Sequence, residues 1–262
     1  MAPEEDASMG EGDLRMAAPA KAWMSWSSGK DSSFALDLVR SDGTVDVVGL
    51  LTTVNADADR VAMHAVRRSL LEAQADRLGL PLVTIEIPSH CSNEVYEARM
   101  AEAIAGARAD EITHMIFGDL FLQDVRSHRE NQLAGSGISP FFPLWGRSTI
   151  SLAHEIFRSG VKAVVTSVDQ SQLDGDFAGR RFDETFLREL PEGVDPCGEN
   201  GEFHTFVWDG PRFSSPIDIE MGRPSSEMDS RFAMSPLPRQ SPLASGVGGT
   251  TQQSHRPKSN RL

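Results

Sequence analysis

Trp26-Ser27-Ser28-Gly29-Lys30-Asp31-Ser32-Ser33 follows the short apolar run Ala22-Trp26 and precedes Phe34, Ala35, Leu38 and Val39, which fall on one helical face. The pattern is a strand, a turn of small residues and a helix. Backbone N–H groups of such a turn can approach an anion closely, and the following helix aims its positive N-terminus at the same point. Ser27, Ser28 and Ser32 add hydroxyl donors, and Lys30 adds positive charge. Asp31 is suited to cap the helix and to hold a Mg²⁺-bound water. On residue types alone, an ordinary polar turn with a capped helix reads the same way. The P-loop pattern GxxxxGK[ST] does not fit, because position 24 is Met rather than Gly, and no GxGxxG is present here.

Outward from this turn, strand and helix patterns alternate. Val45-Thr53 reads as a buried strand. A helix is expected over Val61-Leu78, with Val66, Leu70, Leu71 and Leu78 inward and Gly79 as its stop. Pro81-Ile87 is a third strand. Asn93 is placed to cap a helix reaching about Ala109, and Ile112-Phe117 is a fourth strand. Thr149-Ser159 is a helix stopped by Gly160, and Val161-Ser167 is expected as the fifth strand. Alternation of this kind predicts an α/β fold with a doubly wound parallel sheet of about five strands. Ligands of such sheets bind at the carboxyl ends of strands, near the switch in strand order. No internal repeat is found.

Residues 1–20 and 239–262 are expected to be disordered, being rich in small and polar residues without an apolar period. The formal charge of −13 argues against broad binding to nucleic acid or anionic membrane, while leaving room for a local phosphate pocket. No apolar run reaches the roughly 18 residues of a membrane span. The acidic first 20 residues suit neither a transit peptide nor a secretory signal. Cys91 and Cys197 stand far apart, which is no disulfide framework and no paired-Cys motif. A reducing, cytoplasmic setting is expected.

Two further segments carry chemistry. Gly118-Asp119 follows the fourth strand, so Asp119 falls at the carboxyl edge of the sheet, where a carboxylate can hold Mg²⁺ or ribose. Arg126 and Arg129 can share a helix face and meet phosphate or carboxylate, or simply pair with Asp124 and Glu130. In Asp195-Pro196-Cys197-Gly198-Glu199-Asn200-Gly201-Glu202-Phe203-His204-Thr205-Phe206, glycines alternate with carboxylates. Glu199 and Glu202 can bind a cation, hold an ammonium or act as bases, and His204 can shuttle a proton near neutral pH. A solvated turn is the competing reading. A metal site here is disfavoured, since only one His is present.

The segment Ser27-Ser32 resembles the PP-loop, SGGxDS, of ATP pyrophosphatases, which hold the pyrophosphate of ATP and usually break its α–β bond. Ser28 stands where that pattern has its second Gly, and a Ser there is expected to keep φ in an ordinary region. With Gly118-Asp119 and Arg126, Pro143-Leu144-Trp145, and Gly198-Glu199-Asn200-Gly201-Glu202 with Thr205, the chain is similar to the diphthine–ammonia ligase family over about residues 21–213, and more weakly to about 238. The resemblance implies a HUP-type nucleotide-binding domain (21–136) and a smaller C-terminal α/β domain (137–238) that completes a cleft.

It implies ATP as cofactor with Mg²⁺ held by Asp31 or Asp119. Ser27, Ser28, Gly29, Lys30 and Ser32 would cradle pyrophosphate, with Gly118 beside them. Thr52, Thr53 and Asn55 would flank adenine and ribose. Arg126, Gly198, Glu199, Gly201, Glu202, His204 and Thr205 would face a small or protein-borne carboxylic acid and ammonia. The implied reaction is amide formation: the acid attacks the α-phosphorus, and ammonia displaces AMP from the acyl adenylate. The wording of Gly118-Leu122, Phe142-Trp145 and Phe203-Thr205 resembles the bacterial branch of the family, whose hosts make no diphthamide, which would imply a different acid. Two rivals remain at this point: a PP-loop sulfur transferase acting on RNA, and a HUP-type protein that binds or hydrolyses ATP without ligase activity. A homodimer is compatible with the sequence.

Overall fold

The structure, a computed structural model, describes residues 19–56, 60–61, 66–219 and 232–234. Apart from residues 19 and 20, the segments expected to be disordered lie outside the described residues. Residues 62–65 of the expected second helix do so as well.

The chain opens with β1 (Ala20–Ser25), α1 (Lys30–Asp42), β2 (Val45–Asn55), β3 (Arg60–Val61), α2 (Arg68–Leu78) and β4 (Leu82–Ile87). It continues with α3 (Asn93–Ala109), β5 (His114–Ile116), α4 (Gln123–Leu133) and β6 (Ser139–Phe141). Five strands lie parallel in the order β4-β2-β1-β5-β6, and β3 pairs antiparallel with the far end of β2. From β1 the chain runs outward through β2 to β4, then returns to the other side of β1 at β5. The switch point therefore lies between the carboxyl ends of β1 and β5, which open into Ser27-Ser32 and Gly118-Asp119 respectively.

Side-chain alternation along the strands explains why both faces are covered. Ala22, Met24 and Trp26 face one core with Phe34, Leu36, Leu70 and Leu71 of α1 and α2. Trp23 and Met115 face a second core with Met100, Ile104 and Ala107 of α3. A sheet buried on both faces is what near-continuous apolar strands require.

The last part of the chain holds α5 (Thr149–Arg158), β7 (Lys162–Asp169), α6 (Glu184–Glu189), β8 (Phe203–Asp209) and β9 (Phe232–Met234). Here β8-β7-β9 form a separate antiparallel sheet. Val164, Val165, Phe206 and Val207 join the same apolar core as α1 and α2, so this sheet packs on the first half of the chain.

Three expectations need correction. Val161-Ser167 is a strand, but it lies in the antiparallel sheet; the fifth parallel strand is β6, only three residues long and containing Pro140. The α3 cap is Ser92, whose Oγ accepts from the Val95 N–H, and Asn93 is the first helical residue. α2 begins at Arg68 rather than Val61, which belongs to β3. It ends at Gly79 as expected, with the Gly79 N–H on the Ala75 and Asp76 carbonyls.

Candidate active site

Helix α1 begins at Lys30 with Gly29 as the N-cap and no side chain capping it. Asp31 therefore does not cap the helix; its Oδ2 receives the Lys30 Nζ at 2.9 Å. Within the turn, Ser27 Oγ and Ser32 Oγ lie 3.0 Å apart, and the Ser32 hydroxyl donates to the Gly29 carbonyl at 3.0 Å. Ser28 is buried with φ +70°. The expectation of an ordinary φ is thus overturned: Ser28 takes the left-handed conformation that favours glycine, the residue the related pattern carries at this position. Its carbonyl is held from two sides, by the Val207 N–H at 3.0 Å and by Gln74 Nε2 at 3.0 Å. Fully buried Gln74 also donates to the Val207 carbonyl at 2.6 Å and accepts from Trp26 Nε1 at 2.8 Å. This one amide ties β1, the turn and β8 together, which fixes the turn against the second sheet.

Gly118 comes against the same turn. A Cβ there would stand 3.0 Å from the Ser32 N and 3.2 Å from the Ser32 Cα, so any side chain would press on the backbone at the start of α1, and glycine lets β5 end this close to it. Asp119 follows directly, with its Oδ2 3.6 Å from Arg129 Nε. Burial raises the Asp119 carboxyl above its ordinary value, and Arg129 works against that rise.

The segment 195–205 closes the site from the other side. The Asp195 carboxylate accepts from the Glu199 N–H at 2.9 Å, and Glu202 Oε1 accepts from the Asp195 N–H and from Asn200 Nδ2. Glu202 thus folds its own loop and does not line the cavity. Gly198 is left-handed and so close to the Phe203 carbonyl, 2.8 Å from an added Cβ, that a side chain would not fit. Thr205 Oγ1 accepts from the Lys30 N–H at 3.1 Å. Glu199 Oε1 accepts from the Leu120 N–H at 2.8 Å, joining this loop to the residues after β5.

Lys30 is almost wholly buried. Its Nζ donates to the Cys197 carbonyl as well as to Asp31, and sits 5.4 Å and 5.2 Å from the ring centres of Phe182 and Phe203. Burial by itself would lower this ammonium; Asp31, with Cys197 and Glu199, outweighs that, and the group stays charged with a raised pKa. Burial pushes the Glu199 carboxyl up to about 7, helped by Asp31 and Asp119 and opposed by the Leu120 N–H. His204 moves the other way, down to about 4, because burial and then Lys30 disfavour its cation. This shift favours the neutral imidazole of His204 at neutral pH. Cys197 is buried, and that burial pushes its thiol well above the ordinary range.

These groups border two adjoining cavities. The polar one, of about 200 Å³, takes in Ser27, Gly29, Lys30, Asp31, Ser32, Gly118, Asp119, Gly198, Glu199, Gly201, His204 and Thr205. The other, of about 350 Å³, is walled by apolar and aromatic side chains, including Ile85, Tyr96, Met100 and Phe117, and reaches Thr52 and Thr53. Thr52 gives its hydroxyl to the Trp26 carbonyl. Asn55 lines neither cavity and accepts from the Ser89 hydroxyl at 3.0 Å. Arg126 lines neither as well: its Nε is on Glu130 at 2.7 Å, and its guanidinium lies 4.9 Å and 4.7 Å from the rings of Phe142 and Trp145. Arg129, one helical turn on, borders both.

Among the described residues, no three His, Cys, Asp or Glu side chains gather as a metal cage. Asp31 Oδ1 and Asp119 Oδ2 are nonetheless buried without a hydrogen-bond partner. Two spare carboxylate oxygens beside a phosphate-sized cavity fit a Mg²⁺ that takes its remaining ligands from phosphates and water.

Two family models match in tandem: the diphthamide synthase N-terminal domain over residues 20–139, and the diphthamide synthase C-terminal domain over 148–234. Together they span most of the chain. The chain belongs to the diphthamide synthase family. The chain is 28% identical to the diphthine–ammonia ligase of Danio rerio over 233 residues, covering 79% of this chain and 89% of that protein. It is 26% identical to that of Mus musculus over 234 residues, covering 80% and 86%. The Homo sapiens protein of the same name is 25% identical over 179 residues, covering 63% and 67%. Membership places the chain among ATP-dependent ligases of the PP-loop type. No helix among the described residues is long and apolar enough to cross a membrane.

Proposed function

We propose that this protein adenylates a carboxylic acid with ATP and passes the acyl group to ammonia, releasing pyrophosphate and AMP. The observation that carries this reading is the junction of an apolar, aromatic cavity with a polar one built on the small-residue turn, at the switch point of the sheet. The apolar cavity suits adenosine, and the polar one suits the phosphates and the acyl group. We place the division between the two halves after β6 rather than at residue 137, because β6 pairs with β5 in the parallel sheet.

The hydroxyls of Ser27 and Ser32 and the N-terminus of α1, apart from the Lys30 N–H that Thr205 holds, would bind the β- and γ-phosphates. Donors fixed in advance at developing charge are commonly the largest catalytic contribution. Lys30 acts at one remove: burial raises the Asp31 carboxyl, Lys30 works against that rise, and the same ammonium clamps the Cys197 carbonyl. Mg²⁺, held by Asp31 and Asp119, would draw charge from the phosphate oxygens. The acid's carboxylate oxygen attacks the α-phosphorus, and the α–β bridging bond breaks with its electron pair leaving on pyrophosphate. Ammonia then attacks the acyl carbon. Glu199 takes the proton that the nitrogen must lose, and AMP leaves. A carboxyl with pKa about 7 is suited to that transfer at neutral pH. Thr205 and the Gly198–Gly201 loop would shape the acyl pocket, with His204 as a neutral hydrogen-bonding group.

The test is product analysis with ATP, Mg²⁺ and ammonium across a panel of acids that includes diphthine-bearing elongation factor. AMP and pyrophosphate that rise with one acid support the reading and name the substrate class. ADP and phosphate as products would remove it. Tight ATP binding with no AMP under any condition would favour a nucleotide-binding protein without ligase activity.

A further inference from the structure

We propose that Arg129 is the α-phosphate residue of this site: its guanidinium turns from Asp119 to the nucleotide's α-phosphate and stabilises the charge that builds there as pyrophosphate leaves. The inference rests on the reading of the two cavities as an ATP site, and adds a residue that lies outside the small-residue turn.

The two cavities share Ser25, Ser27, Phe117 and Arg129. A nucleotide with its adenosine in the apolar cavity and its β- and γ-phosphates on the turn has its α-phosphate at this shared wall. Arg129 is the charged member of the four. Its Nε is buried without a hydrogen-bond partner, and so is the carboxylate oxygen nearest to it, Asp119 Oδ2 at 3.6 Å. That separation is beyond hydrogen-bond range. Both atoms are buried while the bond between them is unmade, which costs free energy that a better partner can recover. Phe117 supports the guanidinium with its ring centre 5.2 Å away, keeping it over the end of β5. Arg126 is the contrast on the same helix: it is bonded to Glu130 and packed on Phe142 and Trp145, and it lines neither cavity.

The chemistry needs such a group. As the carboxylate oxygen bonds to the α-phosphorus and the bridging oxygen departs, no proton moves, and negative charge rests on the two non-bridging α-oxygens. A guanidinium fork can meet both oxygens at once, which an ammonium cannot.

Calorimetry on the full chain with AMP, adenosine and the two ATPαS diastereomers tests this, using Arg129→Gln and Arg129→Lys, with circular dichroism melts to confirm folding. Arg129→Gln should weaken AMP about 10- to 100-fold while leaving adenosine unchanged. It should also bring the affinity ratio of the two diastereomers toward one. Arg129→Lys should recover part of the AMP affinity but not the diastereomer ratio, which a merely structural role would leave alone. Unchanged AMP binding with an unchanged ratio, or equal losses for AMP and adenosine, would overturn the assignment. A wild-type chain that binds neither AMP nor adenosine would instead remove the nucleotide reading itself, and the inference with it.

Discussion

Replacing Ser28 by Gly should stabilise the protein by about 1–2 kcal/mol, worked from four contributions. Ser28 has φ +70°, and holding an L-residue there costs about 1–2 kcal/mol. Its side chain is fully buried and its hydroxyl has no hydrogen-bond partner, which adds about 1–3 kcal/mol of uncompensated desolvation. Against these stand the greater freedom of glycine in the unfolded chain, about 0.5–1 kcal/mol, and a methyl-sized void of about 1 kcal/mol. For a chain of this size each kcal/mol moves Tm by about 2–4 °C. Thermal melts and urea titrations of the full chain measure the change. Ser28→Ala separates the causes, because it removes the hydroxyl and keeps the strained Cβ, so its stability should fall between the two. A Ser28→Gly protein less stable than wild type would refute the reasoning, because strain at this residue would then be absent. An Ala variant as stable as the Gly variant would assign the whole effect to the hydroxyl.

Gln74→Leu leaves Trp26 Nε1 and the Val207 carbonyl without this partner and frees one side of the Ser28 carbonyl; a loss of about 3 kcal/mol is expected in urea unfolding. The rate of pyrophosphate release should fall as well, since the same bonds set the turn. With free ammonia held constant, product formation should rise with pH through about 7, where Glu199 becomes a base, and Glu199→Gln should remove that limb; a wild-type profile flat from pH 6 to 8 would exclude Glu199 as the base. His204 has a folded pKa of about 4 against an ordinary 6.5, so the unfolded chain takes its proton first as pH falls. Its stabilising effect is complete above 6.5 and is lost on the way down to about 4. His204→Gln should therefore flatten the acid side of the stability curve relative to wild type, and parallel curves would show that His204 is not depressed.

Much of the fold was legible because the signals were local. β1, the turn and α1 follow from an apolar run, small residues and one helical face, and Gly79 ends α2 where the apolar period stops. β6 was not legible: three residues with a proline carry no period, and only pairing with β5 makes them a strand. Val161-Ser167 was read correctly as a strand but given to the wrong sheet, since a buried strand has the same composition in either. In the site, Lys30 and Asp31 were picked by residue type in the turn, Gly118 and Asp119 at a strand end, Glu199 in a run of alternating glycines and carboxylates, and Thr205 through the family resemblance, and the structure brings them to one cavity. Glu202 and Arg126 have the right chemistry, but their partners, Asp195 with Asn200 and Glu130 with Phe142 and Trp145, lie in the loop or helix face around each. Gln74 left a readable mark: a polar residue at the inward spacing of Leu70, Leu71 and Leu78. The left-handed Ser28 left only an indirect mark, the glycine that the related pattern carries at its position; its own identity argues against that φ.

The central claim is that the acid's own oxygen attacks the α-phosphorus of ATP at the shared wall of the two cavities. The direct measurement is isotope transfer: turnover with ammonium, ATP and the active acid labelled with ¹⁸O in its carboxylate, read by ³¹P NMR of the products. AMP carrying one ¹⁸O and unlabelled pyrophosphate are expected. Label in inorganic phosphate, or AMP that forms without any label, would contradict it.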